Sequence, residues 1–133
     1  MRAEDEMARY VWIGFAVWLF ATVAIRLGGG AILPTGPGLR FGIVLVVTAL
    51  VIGAAISLLV RGIPTREARL EAAVLIVLPG ILLDTGSVLW FPAVFPNLPA
   101  GAGLPFAALL LWAYGIALLA ALLAKPGVPE IVG

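Results

Sequence analysis

Four long apolar runs alternate along this chain with short breaks that are either charged or rich in Gly and Pro. The first run covers residues 8–27 and follows a polar stretch containing Arg2, Glu4, Asp5, Glu6 and Arg9. An acidic triplet where a signal peptide carries basic residues, and no small-residue cleavage site before Arg26, make this run a retained helix. Residues 28–40 form a Gly/Pro-rich connection, and 41–60 are uninterrupted apolar sequence between Arg40 and Arg61. Most of the remaining charge falls in 61–71, a solvent loop in which Thr65 is placed to cap a third helix over 70–91. Pro79 falls inside that helix and is expected to bend it. A second Gly/Pro-rich connection, 92–103, leads to a fourth helix over 104–123, ended by Lys125-Pro126-Gly127 and a short tail.

Each run is about 20 residues long, which at about 1.5 Å per residue crosses about 30 Å of hydrocarbon. Composition agrees: of 133 residues 63% are hydrophobic and 11% charged, against an apolar share of about 45–50% in soluble domains. The expected fold is all-α, a single polytopic membrane domain (1–133) of four transmembrane helices arranged as two hairpins. With the N-terminus inside, Arg2, Arg9, Arg61, Arg66, Arg69 and Lys125 share one side and only Arg26 and Arg40 the other. The positive-inside rule then puts both termini in the cytoplasm. Tyr10 and Trp12 near one interface, and Trp90 and Phe91 near the other, suit the aromatic belts of such a protein.

A net charge of +1 without a basic run gives no reason to expect nucleic acid as a partner. With no Cys and no His, thiol chemistry, the usual zinc and haem sites and Ser-His-Asp triads are excluded. No cofactor or metal is expected.

The segment 33–41 (LPTGPGLRF) matches 98–106 (LPAGAGLPF) at six of nine positions. At the same offset Thr22 falls on Ser87 and Glu6 on Glu71, consistent with a duplicated hairpin, 1–65 and 66–130, related by an axis along the membrane normal. The alternative is that Leu, Pro and Gly simply recur where membrane helices begin.

Asp84 is the one acid deep within a span, about 12 residues or roughly 18 Å of rise from the inner end of its helix. An intramembrane carboxylate is costly unless neutral, paired or hydrated, and so is a functional candidate by default. Arg26 could reach it or point outward, and Tyr114, about a turn deeper on the fourth helix, has a hydroxyl to donate. Thr22, Thr85 and Ser87 lie at comparable depth, and Gly80, a turn before Asp84, allows a close neighbour. Two arrangements are open: a small polar cavity lined by Asp84, Arg26 and Tyr114 and open to the outside, or a structural ion pair between Asp84 and Arg26. Ala49, Gly53 and Ser57, and Ala113, Ala117 and Ala121, have the spacing of helix-packing faces. Trp18 and Trp112 are deep tryptophans that either pack between helices or contact a ligand.

The Ala-Ile-Arg-Leu-Gly ending at Gly28, the Leu-Leu-Asp ending at Asp84, the Val-Phe-Pro-Asn ending at Asn97 and the Leu-Trp-Ala-Tyr ending at Tyr114 resemble a family of small four-helix bacterial membrane proteins of unknown function. The resemblance implies that Arg26, Asp84, Phe95, Pro96, Asn97, Trp112 and Tyr114 occupy the family's marked positions, and it brings no activity. Small multidrug exporters differ in carrying their essential acid in the first helix, membrane thiol oxidoreductases in needing cysteines, and fluoride channels in a Gly-rich motif that Gly28-Gly29-Gly30-Ala31 echoes only in part.

The functional reading that follows is a non-catalytic protein of the bacterial inner membrane. It is either an accessory or scaffold subunit or a component that contacts lipid or another hydrophobic ligand. The alternative is a small proton- or cation-coupled transporter or channel using Asp84, and a third reading is an enzyme acting on a lipid or isoprenoid, since a carboxylate and a tyrosine can do acid–base work. Ligand or ion candidates are Asp84, Arg26, Tyr114, Ser87, Asn97 and Trp112. Expected partners are membrane lipids and either other membrane subunits or a second copy of the chain.

Overall fold

A computed structural model describes residues 3–32 and 38–124. Its elements are α1 (Ala3–Ile32), α2 (Leu39–Leu59), α3 (Arg66–Leu89), a short α4 (Phe91–Val94), one 3-10 turn (Ala100–Ala102) and α5 (Gly103–Leu123). The helices α1, α2, α3 and α5 are long and apolar enough to cross a membrane, so the chain is all-helical in its described residues and reads as a multi-pass membrane protein. Residues 33–37 of the first loop copy, Arg2 and the Lys125-Pro126-Gly127 stop lie outside the described residues.

The ends of the helices differ from the pattern of apolar runs. The polar start is helical, because Glu4, Asp5 and Glu6 occupy the first turn of α1, where the helix dipole favours negative charge. At its other end α1 runs on through Gly28, Gly29 and Gly30. Gly29 is buried there, and a Cβ on it would lie 3.3 Å from Leu98 Cδ2, so its bareness lets the 95–102 loop settle on the helix. α3 begins a turn earlier than its apolar run: Thr65 is extended and its Oγ1 accepts from the Ala68 amide at 3.2 Å, which is the N-cap its type predicts. Pro79 lies within α3 without ending it. The second connection is itself structured, as α4 and the 3-10 turn.

Between helices surrounded by lipid the hydrophobic effect gives little attraction, so close packing decides the arrangement. α3 packs along α1 on one side and α5 on the other, α5 packs along α2, and α1 and α2 scarcely touch. α1 lies directly on α3 at Gly14, where any Cβ would overlap the main-chain carbonyl of Ile76. Two core clusters hold the ends of the bundle. One joins Ile56, Val60, Ala72, Ile76, Ala117 and Ala121. The other centres on Phe91, Phe95 and Phe106, whose ring centroids are 5.0 to 5.5 Å apart. Phe91, expected in an interfacial belt, is buried in this cluster, whereas Trp12 and Trp90 are exposed.

Candidate functional site

Between the two clusters the four long helices enclose a cavity of about 160 Å³. Its walls are apolar apart from Asp84, Thr22 and the polar tips of Trp18 and Tyr114. The rim explains how it is reached: Val17 and Ala21 on α1 and Ala55 and Leu59 on α2 all line it and are all exposed. The cavity therefore opens sideways, through the gap where α1 and α2 fail to pack.

Asp84, on α3, is only 6% exposed. Each of its oxygens has one donor from a different helix. Trp18 Nε1 of α1 donates to Oδ1 at 2.9 Å, and the Tyr114 hydroxyl of α5 donates to Oδ2. The indole can only donate, which fixes Oδ1 as an acceptor. Gly80, a turn before Asp84, gives the tyrosine its seat: a Cβ there would lie 2.5 Å from Tyr114 Oη. The carboxyl group thus joins three helices through one atom set, on the wall of an otherwise oily cleft.

Of the residues expected at this site, Asp84 and Tyr114 meet, with Thr22 on the cavity wall. Arg26 does not join them. Its Nη1 donates to the Val94 carbonyl at 3.0 Å, next to Asn97, whose Nδ2 donates to the Ile25 carbonyl at 3.1 Å. Together these two clamp the last turns of α1 to α4 and the loop after it. Neither expected arrangement is therefore found: the cavity is apolar, opens sideways and is not lined by Arg26, and in place of an ion pair the acid is held by two neutral donors among the described residues. Trp112 Nε1 donates to the Leu45 carbonyl at 2.8 Å, tying α5 to α2. Ser87 is buried on α3 outside the cavity lining, and exposed Thr85 bonds back to Ile81 O at 3.3 Å.

The residue that sequence reasoning left unplaced is Trp18. A signal for it existed, since an indole N–H in the middle of a span needs an acceptor, and the helices offer one carboxylate. Gly14 was missed as well, although a glycine one turn before that tryptophan is what brings α1 against α3.

The model of a family described as a family of unknown function, DUF5367, matches residues 35–126. That is more than half of the 133-residue chain, and the chain belongs to this family. The matched segment contains Asp84, Asn97, Trp112 and Tyr114, while Trp18 and Arg26 precede it. No curated protein and no solved structure matches the chain.

Proposed function

We propose that this family member is a non-catalytic membrane protein that takes up a hydrophobic ligand from the bilayer, through the cleft between α1 and α2, and anchors its polar end at Asp84. One observation carries the reading: a buried carboxyl group lines an apolar cavity that opens sideways, toward lipid in a membrane. Binding pockets commonly combine apolar walls with very few convergent polar groups. The cavity is about the size of an engineered one known to hold benzene, roughly 150 Å³.

A scaffold role draws less support. The small-residue faces that suited it are partly consumed within the chain, because Ala117 and Ala121 are buried in the core and Gly53 faces Ile116. The orientation that goes with the proposal keeps both termini cytoplasmic in a bacterial inner membrane, with Arg9, Arg61, Arg66 and Arg69 on that side.

Native mass spectrometry of protein extracted gently from its own membrane tests the reading. A low-mass hydrophobic compound retained by the wild type and lost from Ala55→Phe, which fills the rim of the cleft, is the expected result. Stoichiometric protein subunits, with no such compound, would overturn it in favour of a scaffold.

A further inference from the structure

We propose that the ligand of the α1/α2 cleft is an organic cation, a lipophilic ammonium compound whose N–H groups bind Asp84 while its apolar part fills the cavity. The inference rests on the hydrophobic-ligand reading and gives that ligand its charge.

Charge balance is the first argument. Asp84 is buried, and among the described residues no Lys or Arg is paired with it; Arg26, the basic residue nearest in depth, is engaged by the Val94 carbonyl. In its ionised form the carboxyl group would be solvated by two neutral donors and left with an uncompensated charge, which is costly at this depth. An anionic ligand would be repelled, and a neutral one would leave the charge as it is. A cation removes the penalty.

Remaining valence is the second. A carboxylate offers about four lone-pair sites, and Trp18 and Tyr114 occupy one on each oxygen. The group also lines the cavity, so an ammonium N–H has acceptors to reach without breaking either bond.

The surroundings select the kind of cation. A bound metal needs several hard oxygen or nitrogen ligands, and among the described residues no cluster of three acidic, His or Cys side chains exists to supply them. The cavity instead presents the aromatic side chains of Trp18, Tyr114, Phe95 and Phe106, which suit an organic cation both by burial and by cation–π attraction. Its volume of about 160 Å³ accommodates one aromatic ring or a short branched chain, with any longer tail left in the lipid.

Benzylammonium and its neutral counterpart benzyl alcohol make a matched pair of probes. Each would be titrated calorimetrically onto the full chain in nanodiscs of uncharged lipid, with empty nanodiscs as the blank. The wild type should bind benzylammonium at least about tenfold more tightly than the alcohol, the difference expected of a charge-assisted hydrogen bond. Asp84→Asn should bring the two affinities together. This substitution can keep both existing bonds, its amide oxygen accepting from Trp18 and its amide nitrogen donating to Tyr114; an unchanged unfolding midpoint verifies that the fold is intact. Equal affinities in the wild type, both lost in Ala55→Phe, would overturn the cation inference and leave the hydrophobic-ligand reading standing. Binding of neither probe would overturn both.

Discussion

At the scale of the residue, Asp84 is a junction whose three parts can be separated by substitution. Trp18→Phe keeps the ring and removes the N–H; Tyr114→Phe keeps the ring and removes the O–H. Hydrogen bonds between membrane helices average well under 2 kcal/mol, and bonds to an ionised group fall toward the upper end, so each change should cost about 1 kcal/mol. Thermal unfolding in detergent measures this. In a double-mutant cycle with Asp84→Ala the cost of Trp18→Phe should largely vanish, because the acceptor is already gone. If the penalties simply add, Trp18 stabilises the bundle by packing rather than through the carboxylate. Asp84→Ala alone leaves a half-buried indole N–H and a phenol without partners and should cost at least about 2 kcal/mol. Asp84→Asn, which can satisfy both, should cost much less. The tyrosine half of the junction was legible in the sequence, because counting rise along two antiparallel helices brings Tyr114 near Asp84. The Trp18 half was signalled only by an indole N–H in need of an acceptor; the pairing itself was not legible, since the acceptor is on a helix remote in sequence and the close approach at Gly14 sets the two in register.

At the scale of the element, glycines separate into those that position a helix and those that merely occupy one. Gly14→Ala would push a methyl into the Ile76 carbonyl. Backbone cannot yield as a flexible side chain does, so α1 must lift from α3 and carry Trp18 off Asp84. The expected outcome is a steep loss of folded protein. Gly28→Ala, in the same helix with nothing within 4 Å of the added Cβ, should instead stabilise α1 by roughly 0.5–1 kcal/mol. Equal tolerance of both by unfolding midpoint would contradict the close crossing. Thr65→Ala removes the N-cap of α3 and should cost about 1 kcal/mol, measurable in the same assay. The number and approximate extent of the long helices were readable because an apolar run of spanning length has few other uses. Their ends were harder to read: the charged start of α1 and its Gly28–Gly30 tail fall outside the apolar runs, yet both are helical, one favoured by the dipole and the other by the loop packed on Gly29.

At the scale of the whole molecule, what matters most is an interface that does not form. In a soluble helix the apolar stripe marks the buried face, but a helix that is apolar all round carries no such mark, and the gap between α1 and α2 is invisible to periodicity. On the duplicated-hairpin reading α1/α2 and α3/α5 are counterparts, of which the second pair packs and the first scarcely touches. The openness is measurable through Trp18, which lines the cavity. A protein retaining only this tryptophan, with Trp12, Trp90 and Trp112 changed to Phe, would be placed in bilayers of lipids brominated along the acyl chain. Its unfolding midpoint is compared with wild type first, because Trp112→Phe removes the bond to Leu45. Bromine quenches indole fluorescence only on near contact, so acyl chains that reach into the cleft should quench Trp18 strongly, and Ala55→Phe at the rim should restore much of the emission. Strong quenching that Ala55→Phe leaves unchanged would mean that Trp18 meets lipid over the outer face of α1 instead. No quenching in the unaltered cleft would mean that α1 and α2 close in the bilayer, and any ligand would then have to arrive from one end of the bundle, past either the Phe91–Phe95–Phe106 cluster or the core around Ile76.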